Sequence, residues 1–415
     1  VKSLIVVSQV FYPDASATSQ LLFDLLKKIA AATNTQVTVI CGYQVGQEFT
    51  PDDRQKSVLK AYEVYQNIHI RRCGLRLNLK KSLLNRALSY MAFLAHSAWV
   101  LLAIAAGHKN DEDAKIVGVT NPPFMPILLW VTSWLGRFQY QLLLHDIYPE
   151  TLLALGKLQP SQMQVRVWRW LNQRGFARAQ SIVVLGRDMG TLLVERYGVA
   201  RNKIAYIPHW CVVEADMLHA NNCATNNNAT NVNQNIVVQY SGNMGMWHDI
   251  NSIVHAAQKL QSAPVRFEMI GSGARRKAAE ALSQSLGVQN MIWRNFVPKD
   301  QLTQSIGHCD IALISLREGF EGAAVPSKLY GILAAGKAIV AQVPPQSEVG
   351  LVVNENACGI VVLPNDQTGL ENAIRTLIEH PTTLRKMGGN ARKAYIEKYT
   401  LDHAVAAYTE WWGLN

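Results

Sequence analysis

Short apolar runs alternate with longer amphipathic stretches along most of the chain. Leu4–Val7, Gln36–Ile40, Ile68–Arg71, Ile116–Val119, Tyr140–Leu144 and Ile182–Leu185 read as strands. Ser19–Ala31, Ala87–Ala106, Pro126–Leu135 and Gln164–Ala177 read as helices. The alternation predicts a parallel sheet with helices on both faces, because strands buried on both sides are apolar throughout. It is interrupted by Asn221 to Asn235, NNCATNNNATNVNQN, a polar run with little that can pack. This reads as a surface loop near an interdomain connection. The alternation then restarts with strands at Ile236–Tyr240, Val265–Ile270, Met291–Phe296, Ile311–Ser315, Ala338–Ala341 and Gly359–Val362. A last helix covers Leu401 to Trp412. The pattern predicts two similar open α/β domains in tandem, with a ligand site at the carboxyl ends of their strands, in the cleft between them.

The length supports two or three domains: 415 residues exceed what one hydrophobic core ordinarily fills. Apolar residues at 49% and charged residues at 17% exclude a disordered chain or a coiled coil. Forty basic against thirty acidic side chains give a net charge of +10, which suits phosphates or an anionic membrane face. No basic cluster is interleaved with aromatics, so nucleic acid is not an expected partner. Six scattered cysteines without a CxxC pair predict neither a disulfide framework nor a zinc site, and hence a reducing compartment. The start of the chain reads as a buried strand rather than a signal peptide.

From Ala87 to Ala106 no Asp, Glu, Lys or Arg occurs. The length would span a bilayer. The alanine content, and the lack of a clear second span, favour a buried or interfacial helix instead. Arg71, Arg72, Arg76, Lys80, Lys81 and Arg86 precede it. A basic segment followed by an apolar helix suits peripheral contact with an anionic membrane through residues 71–106.

The chemistry concentrates in the second half. The strand Ile236–Tyr240 runs into Ser241-Gly242-Asn243-Met244-Gly245, and Val265–Ile270 runs into Gly271-Ser272-Gly273, followed by Arg275, Arg276 and Lys277. Glycine turns after strands either present backbone N–H groups to a phosphate or simply reverse the chain. The cations either reach an anion or form a solvated helix face. In Pro326-Ser327-Lys328-Leu329, the proline starts a helix and Lys328 falls in its first turn. A cation there opposes the helix dipole, which makes sense when a bound phosphate compensates it.

The ordered set of motifs resembles the family 4 retaining glycosyltransferases of the GT-B fold, of the bacterial exopolysaccharide, O-antigen and colanic-acid type. The set comprises Phe11–Asp14, Asn121–Pro123, His145-Asp146-Ile147-Tyr148-Pro149-Glu150, Val184–Arg187, Lys203 through Trp210, Tyr240–Gly245, Ile270–Gly273, Asn295–Pro298, Pro326–Gly336 and Ser347-Glu348. The resemblance implies two facing Rossmann-like domains. Residues 1–207 would bind the acceptor, with a C-terminal helix of about 397–415 packing back on them, and residues 208–396 would bind the nucleotide sugar. It also implies a metal-independent reaction with no cofactor beyond a nucleotide-sugar co-substrate, expected to be a UDP-sugar.

Under that resemblance His145, Lys328 and Asp146 are the catalytic candidates, with Glu150 supporting the loop. Gly242, Asn243, Gly245, Gly271, Gly273, Arg275, Val297, Pro326, Ser327, Lys328, Leu329, Glu318 and Glu348 are the donor-binding candidates. Arg317 is a further cation, and Val297 would hold the base through its backbone in an apolar slot beside Phe296. Asp14, Ser16 and Thr18 would meet the acceptor. Three departures from the family pattern stand out. The glutamate pair of many relatives falls here on Ala323 and Gly331, leaving Glu318, Glu321 or Glu348 to read a hydroxyl. The loop after the first strand of the second domain offers Asn243 and His248 in place of Arg and Lys. Ala15-Ser16-Ala17-Thr18 lacks a glycine pair. The expected activity is transfer of a sugar, of the hexose or N-acetylated amino-sugar class, to a polyprenyl-linked or saccharide acceptor in cell-surface polysaccharide synthesis. The expected location is cytoplasmic, at the inner face of the plasma membrane. A UDP-sugar epimerase of GT-B type and a non-catalytic nucleotide-sugar-binding protein are the alternatives.

Overall fold

The computed structural model describes residues 2–14, 16–43, 61–75, 83–107, 114–211, 235–297 and 299–414. Arg76, Lys80 and Lys81, most of the asparagine-rich run, Ala15 and Pro298 lie outside the described residues, as does the side chain of Arg86. The chain divides into two compact units. The first takes 1–153, 158–208 and 401–415; the second takes 154–157 and 209–400.

In the first unit the elements run β1 (Lys2–Val7), α1 (Ala17–Ala32), β2 (Thr35–Gly42), β3 (Tyr62–Tyr65), β4 (Ile68–Cys73), α2 (Leu83–Gly107), β5 (Ala114–Val119), α3 (Met125–Gly136), β6 (Gln141–Leu144), α4 (Glu150–Ala154), α5 (Met163–Arg178), β7 (Ser181–Val184), α6 (Arg187–Tyr197) and β8 (Ile204–Tyr206). The strands form one sheet in the order β3-β4-β2-β1-β5-β6-β7-β8. Only β3 is antiparallel to its neighbour. The apolar runs are strands because both faces are covered: Leu4, Val6, Val37, Val39, Val117, Leu142 and Ile182 are fully buried. The missing pattern signal explains β3 and β8. Tyr62–Tyr65 is an edge strand with exposed side chains, and β8 is three residues long.

The second unit runs β9 (Ile236–Ser241), α7 (Ile250–Lys259), β10 (Val265–Ile270), α8 (Arg276–Ser285), β11 (Met291–Arg294), α9 (Lys299–Gly307), β12 (Ile311–Ser315), α10 (Lys328–Ala334), β13 (Ala338–Gln342), α11 (Glu348–Glu355), β14 (Gly359–Val362), α12 (Gln367–Glu379) and α13 (Pro381–Lys398). Its sheet is parallel in the order β11-β10-β9-β12-β13-β14. Two apolar cores cover its faces, one under α10, α11 and α13, the other under α7 and α12. The order reverses between β9 and β12, and such a switch point opens a crevice at the carboxyl ends. In the first unit the same reversal lies between β1 and β5.

The last helix, α14 (Leu401–Trp411), belongs to the first unit and packs on α1, with Lys28 Nζ 2.5 Å from Asp402 Oδ1. The return begins at Leu401 rather than near 397, because α13 continues to Lys398 on the second unit.

Candidate active site

At the switch point of the second unit two glycine turns lie backbone against backbone. Gly242 N donates to Ile270 O at 2.9 Å, Met244 N to Ser272 O at 2.8 Å, and Arg275 N to Met244 O at 3.0 Å. Gly271 sits at φ 128° with its Cα against the Gly242 carbonyl, and Gly273 at φ 151° with its Cα against the Met244 carbonyl. A side chain at either position would collide with main chain, so both must be glycine. Gly245 has the Asn243 amide beside it. The amide nitrogens of 242, 244 and 275 are thus consumed in building the cradle rather than left for a ligand.

Lys328 closes the cradle. Its Nζ lies 3.8 Å from the centroid of the Tyr240 ring and directly against Gly242. The nitrogen is buried and has no hydrogen-bond acceptor among the described residues. Burial pushes its pKa down to about 7. An ammonium so placed is short of a counter-charge, since a ring face supplies only part of what water would. The helix that Lys328 starts is seven residues long, so its dipole adds little.

Tyr240 organises the surroundings. Its hydroxyl donates to Asn243 O at 2.9 Å, and His248 stands edge-on at 5.9 Å. His248 Nδ1 lies 2.5 Å from Ser315 O at the end of β12. Burial, with the Lys328 and Arg275 charges behind it, pushes the His248 imidazole down to about 3. His248 is therefore neutral and donates to that carbonyl, so it adds no cation to the site. Arg275 brings its guanidinium to the rim, its Nε buried and without an acceptor among the described residues. Arg276 instead braces the turn: it donates to Gly271 O, to Arg294 O at 2.9 Å and to Asn295 Oδ1 at 3.0 Å, and pairs with Glu280 at 2.7 Å. Arg317 donates to Met246 O at 3.3 Å.

Several expected donor contacts need correction. The Leu329 side chain is fully buried in the apolar core and its N–H donates to Pro326 O, so neither end of it reaches outward. Pro326 and Ser327 form the turn before α10, partly exposed. The slot at Val297 is not apolar: a cavity of about 280 Å³ there is lined by Glu268, Ile270, Arg294, Gln304, Ser305 and His308 among others, while Phe296 stands 56% exposed. Of the three carboxylates, Glu318 is exposed and Glu321 accepts from Gly319 N at 2.8 Å. Glu348 is buried in the first turn of α11, whose cap Ser347 accepts from Gly350 N. Ala323 is buried, and the Cα of Gly331 faces Cys211 and Ile306, so a carboxylate at 331 would enter an apolar surrounding.

In the first unit His145 and Asp146 follow β6. Both backbone nitrogens point at Thr120 Oγ1, at 2.9 and 3.4 Å. Burial pushes the His145 imidazole down to about 4 and the Asp146 carboxyl up to about 6. Glu150 is a structural anchor: Arg169 grips it in a fork at 3.0 and 2.7 Å, and Tyr197 donates to it at 2.8 Å, joining α4, α5 and α6. Asp14 Oδ1 accepts from Ser16 N at 2.6 Å, and Ser16 Oγ caps α1. Ser16 is thereby occupied with the helix end, while Thr18 is half-buried in its first turn. The five described cysteines are buried and form no disulfide with one another. Among the described residues no group of three His, Cys, Asp or Glu side chains is placed to hold a metal ion.

The residue the sequence reading passed over is Tyr240. An aromatic at the end of a buried strand reads as core, and only its position directly before Ser241-Gly242 hints at more.

Two family descriptions match the chain: "Glycosyl transferase 4-like domain" over residues 24–210 and "Glycosyl transferases group 1" over residues 224–394. The glycosyltransferase WbjE of Pseudomonas aeruginosa is 26% identical over 323 residues, 77% of this chain and 78% of its own. WcaI of Escherichia coli (strain K12), named as a colanic acid biosynthesis glycosyl transferase, is 24% identical over 324 residues, 76% of this chain and 78% of its own. Among solved structures, Anabaena Alr3699/HepE in complex with UDP aligns over 99% of both chains with a TM-score of 0.68 at 14% identity, a likeness of fold. With one family description on each Rossmann-like unit and this order of motifs between them, the chain belongs to the family 4 glycosyltransferases of the GT-B fold.

Proposed function

We propose that the chain transfers a sugar from a UDP-sugar, of the hexose or N-acetylated amino-sugar class, to a polyprenyl-diphosphate-linked or saccharide acceptor in cell-surface polysaccharide synthesis. The observation that carries the donor half is the buried Lys328 ammonium, without an acceptor among the described residues and set against the glycine turns. A diphosphate is the counter-charge it lacks. Stabilising the leaving diphosphate is the largest task in this reaction, and an amine held in a dry cradle, which the diphosphate itself keeps protonated, performs it with little movement of the protein. Arg275 is the second cation, and Arg317 a third. Val297 holds the base through its backbone, and Glu348 is the carboxylate best buried to read a hydroxyl. The names of WbjE, WcaI and the UDP complex of HepE point the same way.

In the first unit His145, neutral at working pH, is assigned to the reacting sugar, Asp146 to its support, and Asp14 and Thr18 to the acceptor. The reaction retains anomeric configuration by front-face displacement: the bond from the anomeric carbon to the UDP oxygen breaks, the acceptor oxygen bonds on the same face, and its proton passes to the leaving phosphate. No metal takes part. The protein works at the inner face of the plasma membrane, with peripheral contact through residues 71–106; Arg72 takes no part in that contact, because it is buried and paired with Glu63.

A thermal-shift panel of nucleotides, run on wild type and Lys328→Ala, tests the donor, since a ligand of the native state raises the melting temperature by mass action. UDP and one UDP-sugar stabilise the wild type, and the variant loses most of that shift. Transfer from that donor, with the product anomer read by NMR, tests the reaction. Interconversion of donors without acceptor would establish the epimerase instead, and an inverted product would overturn the front-face route.

A further inference from the structure

Helices α2, α3 and α5 lie side by side on one face of the first sheet, α3 in the middle. Contact is close: the Cα of Gly136 faces Ala105, and the Cα of Gly175 faces the Pro126 carbonyl. Their inner sides form the core. Their outer sides should then be polar, and they are not. On α2 the exposed positions Leu84, Leu88, Met91, Ala95, Trp99 and Ala103 recur every three or four residues, so the solvent stripe itself is apolar. It continues on α3 through Trp134 and Leu135, and on α5 through Val167 and Trp170. Three indoles stand in the open, Trp99 at 72%, Trp134 at 69% and Trp170 at 49%.

Charge is distributed with equal bias. None of the three helices contains an Asp or Glu. Arg166 and Arg174 are exposed on α5, and Arg174 lies 5.5 Å from the Trp170 ring. An apolar stripe about 28 Å long, bordered by arginines and tryptophans and free of acids, complements one surface: the headgroup region of a bilayer containing anionic lipid. Trp rings settle at that depth, the aliphatic side chains enter the acyl boundary, and arginines meet lipid phosphates. A protein partner would have to bring a matching apolar face, and the absence of acids gives it nothing to distinguish it by.

We infer that the outer face of α2, α3 and α5 is a membrane-docking surface that seats the first unit on anionic lipid, with Trp99, Trp134 and Trp170 as anchors and Arg166 and Arg174 as headgroup contacts. This deepens the membrane element of the function proposed above and widens it from one segment to a three-helix platform.

The test is co-sedimentation of the purified chain with vesicles of phosphatidylcholine, alone or with one-third phosphatidylglycerol. Three proteins are compared: wild type, Trp99→Ser/Trp134→Ser and Arg166→Gln/Arg174→Gln. Wild type binds the anionic vesicles. The tryptophan variant loses about tenfold or more on them. The arginine variant loses roughly fivefold per charge on anionic vesicles only. Both keep the wild-type melting temperature and UDP-induced shift, because the altered side chains are exposed. Wild type remaining in the supernatant with anionic vesicles overturns the inference, as does equal binding by all three proteins. So does a wild-type dimer that the tryptophan variant converts to monomer while vesicle binding stays unchanged. The assay reads no turnover, so its failure leaves sugar transfer standing, and a failed transfer assay leaves lipid docking standing.

Discussion

The ammonium of Lys328 rests 3.8 Å above the ring of Tyr240, while the hydroxyl of the same tyrosine fixes Asn243 O in the first glycine turn. One side chain therefore positions both the cation and the backbone that a diphosphate would meet. Tyr240→Phe keeps the ring and loses only the hydrogen bond, so UDP affinity should fall a fewfold. Tyr240→Leu removes the ring face and should weaken UDP by about thirtyfold, the worth of a desolvated cation–π contact of about 2 kcal/mol. Calorimetric titration of the two variants separates the contributions.

The depressed pKa of Lys328 gives donor binding a pH dependence of known sign. The ligand-free site holds this amine near 7, against 10.5 in the unfolded chain. A bound diphosphate favours the charged form, so binding takes up a proton once the pH exceeds about 7. UDP should bind progressively more weakly above that pH, by up to about tenfold per unit, and Lys328→Met should bind weakly with no such slope. Without ligand the sign is opposite for stability. The unfolded chain binds more protons between about 7 and 10.5, so Lys328 makes the folded protein gain stability as pH rises through that window. Denaturant melts of wild type and Lys328→Met across the window check it.

Gly271→Ala should cost about 2–4 kcal/mol and abolish the UDP-induced thermal shift, because the new methyl meets the Gly242 carbonyl at a left-handed φ. Gly287→Ala is the control. Its φ is also positive, at 64°, but nothing lies within 4 Å, so only the conformational cost of about 1 kcal/mol remains.

Glu150→Gln should destabilise the first unit by about 3 kcal/mol, since it leaves Arg169 without its anion and Tyr197 with a poorer acceptor. UDP affinity should not change. A melting curve with a lowered transition and an unaltered UDP titration is the expected pair of results.

His145→Ala should lower kcat by about a hundredfold or more while UDP affinity stays within a factor of two. With a pKa of about 4, His145 contributes no change of charge between pH 5 and 9. Asp146, raised to about 6, is protonated below that pH and ionised above it. An acid limb in kcat near pH 6 should therefore vanish in Asp146→Asn, whatever activity that variant retains. A pH–rate profile of the three proteins checks both statements.

Much of the fold was legible because its causes are local. Strands buried on both faces must be apolar, and Val265–Ile270, Ile311–Ser315 and Gly359–Val362 have the bounds the pattern predicts. The edge strand Tyr62–Tyr65 escaped because nothing covers it to impose such a pattern. At the site, the glycines and Lys328 could be singled out because each breaks a local rule: φ above zero, or a cation at a helix start. The uses of Ser16, Leu329, Glu150 and Tyr240 could not. A serine before a helix serves equally as a cap or a ligand, and a leucine after a lysine points in or out according to which face of the helix is buried.

Residue type and spacing suffice for the class of fold, the tandem of two α/β units, the glycine turns, and the ordered motifs that mark a glycosyltransferase. The tertiary structure alone decided which polar groups are already consumed and which remain short of a partner. It set Lys328 on Tyr240 across 88 residues, turned His248 into a neutral donor, tied Arg276 into the turn, and laid three apolar stripes side by side on one face. Such facts depend on burial and on distances between segments remote in the chain, and a sequence carries neither.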